Sequence, residues 1–173
     1  MEIFSPNSLQ AVINQGAGVR VHGNWSRTLP IKNLRLYARA RYGIDNEFEH
    51  TLFNNSIPNA TNPNNNLYKR ILLRGDGAGG PVFNDVVFNR LMQPVFDGVT
   101  RIRPAIHFIN GEYWGITAIR DRMDRHHFAY FCDQDPDNIH QTNCKGFNCE
   151  TVSGRRSDTS EEFTQTGKLS VIK

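Results

Sequence analysis

The segment from Phe108 to Arg122 constrains the fold of this chain more than any other, because it predicts a β-hairpin. Asn110-Gly111 supplies two residues that tolerate positive φ angles, as a type I′ turn requires, between runs rich in β-branched and aromatic residues. The strand ends in charged residues at the edge of a core, where sites are often built and where solvated strand ends are also common. Strict alternation predicts that one face of the second strand carries Glu112, Trp114, Ile116, Ala118 and Arg120.

A second pattern of period two covers residues 32–42 and predicts a strand with one buried and one basic face. The basic face could hold phosphates or an acidic partner, and a solvated strand face is the alternative. Residues 18–23 and 68–74 predict two further strands. The basic face is expected to carry Arg35, Arg39 and Arg41, and the buried face Leu34, Leu36, Ala38, Ala40 and Tyr42.

Residues 81–96 predict an amphipathic helix. Asn84 or Asp85 can cap its beginning, and Pro94 should end or kink it. The apolar surface of this helix is expected to consist of Val86, Val87, Leu91, Val95 and Phe96.

A second helix is predicted over residues 123–132, with Phe128 and Phe131 inward, and a third could begin near Ser160. Because strands occur in runs and the helices stand apart from them, we expect an α+β fold with a mainly antiparallel sheet and two or three helices.

Two regions lack a regular pattern. Residues 54–66 hold seven asparagines and two prolines and predict a loop. From residue 141 onward the periodicity weakens. There, Cys144 and Cys149 could close a small disulfide loop in an oxidising compartment, which would leave Cys132 unpaired. A disulfide and free thiols are equal alternatives at this point.

Composition narrows the class of protein. With 173 residues, of which 38% are hydrophobic, the chain can bury one sizeable core. It has no apolar run of the roughly 20 residues that a membrane helix needs. The net charge of +3 does not by itself indicate nucleic acid, but 15 of the 20 basic residues are arginine, which suits phosphate and carboxylate. No secretion signal is visible, although three Asn-x-Ser/Thr sequons and the cysteines favour an extracellular or cell-surface protein.

Few motifs carry chemistry on their own. The glycine loop at residues 75–80 could cradle a phosphate, but it lacks the Lys-Ser/Thr of a P-loop, so a flexible turn is favoured. Residues 133–137 carry acids at alternate positions, as calcium loops do. Asn138 and Cys144 stand where such a loop needs glycine and a bidentate acid, so no metal site is predicted.

The most specific signal is an ordered set of segments: residues 19–27, 30–36, 71–77 and 110–124, followed by a turn at 135–139. Taken in this order, the segments resemble the CotH kinase family, which is named for a spore-coat protein. The loop after Arg74 departs from the family pattern, which more often has Asn and a following Asp, and Asp121 stands where Glu is usual.

The resemblance implies an atypical kinase-like fold in secreted or surface proteins. Such kinases use ATP with Mg²⁺ or another divalent metal to phosphorylate serine in a protein substrate. Their catalytic and metal-binding aspartates lie in a second lobe, downstream of the matching segments. We therefore expect residues 1–140 to form a CotH-like N-terminal lobe and residues 141–173 the truncated start of a second lobe. The chain alone is then expected to be inactive, with its metal ligands elsewhere.

Motif position and charge suggest four cofactor-site residues. Arg27 and Lys32 are candidates for contacts to the nucleotide phosphates, and Arg120 and Asp121 for an internal ion pair that orders the site. A non-catalytic surface adhesin or coat-assembly module is the alternative, since a fold does not fix a function. That module would use the arginine face and the asparagine-rich loop as contact surfaces.

Overall fold

The computed structural model of the chain describes residues 1–43, 45–53, 60–75, 82–95, 100–139, 141–145 and 148–153. The described strands are β1 (Glu2–Phe4), β2 (Ala11–Asn14), β3 (Gly18–Val21), β4 (Leu34–Tyr37), β5 (Phe48–Glu49), β6 (Leu67–Tyr68), β7 (Arg70–Arg74), β8 (Ile102–Ile109), β9 (Glu112–Asp121), β10 (Gln141–Lys145) and β11 (Asn148–Ser153). The described helices are α1 (Val82–Met92) and α2 (Arg125–Cys132), with short 3₁₀ helices at Trp25–Thr28 and Pro136–Asn138.

The chain divides into two compact units. One consists of Met1–Asn59 with Pro63–Arg122, and the other of Ala60–Asn62 with Met123–Lys173. The predicted lobe boundary at residue 140 stays a prediction.

The first unit is built on a five-stranded antiparallel sheet with strand order β3-β4-β7-β9-β8. Helix α1 lies in the chain between β7 and β8. The predicted α+β class, with a mainly antiparallel sheet and two helices, is confirmed in the described part of the chain.

The predicted hairpin is β8 and β9. Asn110 has a φ of 52° and Gly111 a φ of 82°, the positive values that the turn requires. Asparagine tolerates this region through its short polar side chain, and glycine has no Cβ to clash. The turn therefore fixes the register of the two longest strands.

A β-bulge interrupts the hairpin. Gly115 pairs with His107, whereas Tyr113 pairs with Phe108, so Trp114 is the additional residue. The alternation of side chains changes phase there, which period-two reasoning could not anticipate. Five residues of β9 were predicted to share one face. Ile116, Ala118 and Arg120 share it, whereas Glu112 and Trp114 do not, because they lie before or at the bulge.

The two faces of the sheet differ in what covers them. On one, the core face, Leu36, Ile71 and Ile119 are buried. Each buried aliphatic side chain contributes about 1.5–3 kcal/mol to folding. The other face, here called the basic face, carries arginines and is partly covered by α1. The core face is covered by Ile13, Phe48, Leu52, Phe53 and Tyr68, and the residues of the basic face include Arg20, Arg35, Arg70, Arg74 and Arg120.

The strand predicted over residues 32–42 is shorter than expected. The ladder covers Leu34–Tyr37, and the Ala38 N–H still reaches the Lys69 carbonyl at 3.1 Å. A turn then closes from Arg39 to Tyr42, so the alternation stops and the predicted burial of Ala40 and Tyr42 is wrong.

Helix α1 ends at Met92, two residues before Pro94, as predicted. Its beginning at Val82 places Asn84 and Asp85 inside the helix, so the prediction that one of them caps it is wrong. Val86 is buried against Ile102 and Ala118, as the amphipathic pattern predicts. Phe96 lies outside the described residues, and the prediction of an inward face is wrong for the exposed Val87, Leu91 and Val95.

The second unit contains α2. The Asp124 carboxylate accepts hydrogen bonds from the N–H groups of His126 and His127, which caps the helix. Phe131 is buried and Asp133 ends the helix in the left-handed conformation. The side chains of the two hairpin cysteines and the helix predicted near residue 160 lie outside the described residues. No described helix is both long and apolar enough to span a membrane.

Candidate functional site

At one end of the sheet, the end of β3, the beginning of β4 and the end of β7 lie side by side. The His22 N–H donates to the Asn33 carbonyl at 2.7 Å, and the Gly75 N–H donates to Oδ1 of the buried Asn33 at 2.9 Å. A Cβ on Gly75 would lie 2.4 Å from a methyl carbon of Ile31, so no side chain fits there without displacement. The connection between β3 and β4 and the residue that follows β7 are therefore held close together at this end of the sheet.

The turn at this end is held by Lys32. Its Nζ donates to the carbonyls of Arg27 at 2.9 Å and Leu29 at 2.5 Å. An ammonium group that satisfies two carbonyls orders the short 3₁₀ helix Trp25–Thr28. The Arg27 residue itself is exposed. Both predicted phosphate-contact residues thus lie in one turn, and the structure gives Lys32 a role in positioning it.

Asp85 of α1 bridges two arginines on the basic face. Its Oδ2 lies 3.3 Å from Arg74 Nη1 and 2.5 Å from Arg120 Nη1. Arg74 ends β7 and Arg120 lies on β9, so one carboxylate oxygen ties the helix to two strands. The three groups carry a net charge of +1, which leaves cationic charge at the surface.

Further hydrogen bonds extend this cluster behind Asp85. Arg120 donates to Thr100 Oγ1 from Nη2 at 2.7 Å and from Nε at 3.3 Å, and the Thr100 hydroxyl donates to Asn89 Oδ1 at 3.3 Å. Burial lowers the pKa of Arg120, and the charge of Asp85 opposes that shift. Arg120 is therefore an anchor, with little of its guanidinium facing solvent.

The predicted ion pair between Arg120 and Asp121 is wrong. Neighbouring residues of a strand point to opposite faces, so Asp121 lies on the core face. There it accepts hydrogen bonds from Arg101, from Nε at 2.7 Å and from Nη2 at 3.2 Å. The side chains of Arg101 and Asp121 are 2% and 1% exposed.

Aromatic rings and a backbone carbonyl also contact Arg101. Its guanidinium carbon lies 4.9 Å from the ring centroid of Phe53 and 5.5 Å from that of Tyr68, and Nη1 donates to the Asn65 carbonyl at 3.1 Å. Burial raises the pKa of the Tyr68 hydroxyl. With no solvent-facing part, this pair stabilises the fold and cannot contact a ligand.

The basic face continues beyond Asp85 around Tyr37. The guanidinium carbons of Arg35, Arg39 and Arg70 lie 5.8, 5.1 and 5.7 Å from the centroid of its ring. Three cations around one ring make this part of the sheet strongly electropositive. Of the three arginines predicted to share the strand face, Arg35 lies in the strand, whereas Arg39 and Arg41 follow its end at Tyr37.

These residues suit an anionic ligand better than a metal. The half-exposed Arg74 and the exposed Arg27 can donate to phosphate oxygens. The residues that the structure describes contain no group of three His, Cys, Asp or Glu side chains that could hold a metal ion. The glycine loop at residues 75–80, for which a flexible turn was favoured over a phosphate cradle, lies outside the described residues apart from Gly75.

Comparison with known proteins identifies the family of the chain. The sequence model of a family described as CotH kinase protein matches residues 19–170, which is most of the chain. The chain therefore belongs to the CotH kinase family, and the resemblance seen in its sequence segments is confirmed. Neither a curated protein nor a solved structure matches it.

Sequence reasoning missed the role of Asp85. The signal was an arginine at the end of one strand and an acid in the first turn of the following helix. The short-range role of that acid, as a helix cap, concealed the long-range one.

Proposed function

We propose that this chain is the nucleotide-binding lobe of an ATP-dependent protein serine kinase. The observation that carries the proposal is the ion pair between Arg74 and Asp85 on the basic face. In protein kinases, a lysine on the third strand of the lobe pairs with a glutamate of the helix that follows and contacts the ATP phosphates. Here Arg74 ends the third strand of the five-stranded sheet, and Asp85 lies in the helix that follows it.

The chemistry of the pair supports this analogy of position. Arginine stays charged and presents several donors in a plane, which matches phosphate oxygens. The Arg74 side chain is 48% exposed, so it can contact a ligand while Asp85 orients it. Arg120 in turn holds Asp85, and Lys32 holds the turn that carries Arg27.

ATP supplies the phosphoryl group in this proposal, and a divalent metal neutralises the phosphate charge when bound. The described residues offer no ligand set for that metal, so this lobe contributes arginines instead. The proposed acceptor is a serine hydroxyl of a protein, and the proposed setting is extracellular or cell-surface. The three glycosylation sequons support that setting.

Isothermal titration calorimetry with ATP and MgCl₂ tests the proposal on the whole chain. The variant Arg74→Gln is expected to weaken ATP binding about tenfold or more, because charge-assisted hydrogen bonds to phosphate are lost. Arg103→Gln is the matched control, since it removes one arginine from the opposite face of the same sheet. No binding of ATP by the wild type, or an equal loss in both variants, would contradict the proposal.

A binding module is the second candidate, and the tip of the hairpin favours it. Ile106, Phe108 and Tyr113 are 67%, 58% and 63% exposed, and the last two rings contact each other with centroids 5.9 Å apart. Neighbouring exposed apolar side chains are common where proteins bind partners. Absence of ATP binding together with an unchanged fold would support this candidate.

A further inference from the structure

His22 is enclosed by cations at the end of the sheet where the loops meet. It follows β3 directly, and Arg35 on β4 contacts its Nδ1 through Nη2. Four guanidinium groups act on it electrostatically, and they come from four segments. They are Arg27 in the 3₁₀ turn, Arg35 on β4, Arg74 on β7 and Arg122 just after β9.

The contact with Arg35 fixes the state of the imidazole. An arginine has only donors, so Nδ1 of His22 must accept, and the remaining proton of the neutral ring lies on Nε2. Burial and the four arginines lower the pKa of His22 to about 4. At neutral pH the ring is therefore uncharged and offers an N–H donor.

Arg35 has one buried N–H group without a hydrogen-bond partner among the described residues. Nη2 contacts His22, and Nη1 donates to the Tyr37 hydroxyl at 3.1 Å, so these two partners are both neutral. Its Nε is buried and has no hydrogen-bond partner among the described residues. A buried donor without a partner costs free energy, and an anion that approached it would remove that cost.

Cation–π contact alone does not account for this arrangement. It explains why Arg39 and Arg70 lie beside Tyr37. It does not explain a neutral histidine held among arginines from four segments, next to the ion pair of Asp85 with Arg74. Groups of like charge converge in this way where an anion is bound.

We propose that His22 and Arg35, together with Arg27 and Arg74, form a site for a dianionic phosphoryl group. The proposal rests on the proposed function only in naming the nucleotide as the source of that group. When the dianion binds, it offsets two of the four positive charges around His22. The charged form of the ring is then less disfavoured, and His22 takes up a proton from solvent on Nδ1. Arg35 then moves its donor from the ring to the anion, because the protonated ring no longer accepts.

Sulfate is the probe that tests the site without a nucleotide. It remains a dianion between about pH 5 and pH 8, the range in which a histidine titrates, so any pH dependence of its binding comes from the protein. NMR of the histidine ring protons of the full chain, with the signal of His22 assigned from His22→Gln, gives its pKa with and without sulfate. We expect sulfate to raise this pKa, and its affinity to increase about threefold to tenfold as the pH falls from 7 toward 5.

Two variants and a control separate the site from general surface charge. His22→Gln should abolish the pH dependence of sulfate binding, and Arg35→Gln should weaken binding about tenfold. Arg39→Gln removes an equal charge from the neighbouring Tyr37 stack and should change affinity less than about twofold. An unchanged pKa of His22 in saturating sulfate, or equal losses in Arg35→Gln and Arg39→Gln, would overturn the proposal.

ATP distinguishes this proposal from the proposed function. If ATP binds and is weakened by Arg74→Gln but not by His22→Gln or Arg35→Gln, the nucleotide lobe stands and the nucleotide is wrong as the source of the anion at His22. If sulfate binds with the predicted pH dependence while ATP does not bind, the His22 site stands and the kinase proposal is wrong.

Discussion

Arg120 and Asp121 are neighbours in β9, yet they belong to two different kinds of ion pair. Asp121 and Arg101 are sealed in the core face, with side chains 1% and 2% exposed. Arg120 joins Asp85, which is 38% exposed and also pairs with the solvent-facing Arg74. In the sealed pair, Arg101 and Asp121 bind each other and have almost no exposed surface. The open pair keeps donors available, which is what a binding site requires.

Of the predicted changes, removal of the Asp121 carboxylate should lower the free energy of unfolding most. Asp121→Ala leaves the Arg101 guanidinium buried without a counter-charge, and such losses cost about 3–5 kcal/mol. Urea denaturation would measure the free energy of unfolding. A loss under about 1 kcal/mol would show that the sealed pair is not structural.

Acid should weaken the fold through the basic face. The pKa of His22 is about 4 in the folded state and 6.5 in a free side chain. As the pH falls from 6.5 to 4, His22 is protonated in the unfolded chain but stays neutral in the folded chain. The free energy of unfolding therefore falls over that pH range. Allowing for the partial solvent exposure of His22, we expect this loss of unfolding free energy to be about 1–2 kcal/mol. Denaturation curves of the wild type and His22→Gln across this range would measure it, and parallel pH profiles would contradict it.

Asp85→Asn should separate binding from stability. Asp85 is 38% exposed, but Arg120 is only 10% exposed and would keep an amide oxygen as its partner. We therefore expect the free energy of unfolding to fall by about 1–2 kcal/mol, less than in Asp121→Ala. ATP affinity should fall about tenfold, because Arg74 loses its orienting partner. Calorimetry and denaturation of the same sample measure both. A stability loss as large as that of Asp121→Ala, with unchanged ATP affinity, would reverse the roles of the two pairs.

The smallest effect is expected in the second unit. Asp124→Ala removes the cap of α2 and should cost about 1 kcal/mol. Hydrogen exchange of the α2 amides would detect it, and ATP affinity should not change. A loss of ATP binding in this variant would show that binding is not confined to the first unit.

Local patterns predicted much of the fold. The positive φ angles at Asn110-Gly111 and the end of α1 before Pro94 follow from residue chemistry within a few positions. The bulge at Trp114 does not, because it arises from the pairing of two strands.

The site was predicted less well, because its contacts join distant residues. Asp85 and Arg120 are 35 positions apart, and Arg101 and Asp121 are 20 apart. Alternation alone was enough to reject a pair between Arg120 and Asp121, since neighbours in a strand face opposite ways. It could not supply the partners that replaced it.

NMR mapping of ATP binding to the whole chain shows whether the basic face holds the nucleotide. We expect ATP to shift the amide signals of Arg35, Arg74 and Asp85 on the basic face and to leave those of Arg101 and Phe53, in the sealed core, nearly unchanged. Shifts confined to the surroundings of Arg101, or none at saturating ATP, would contradict it.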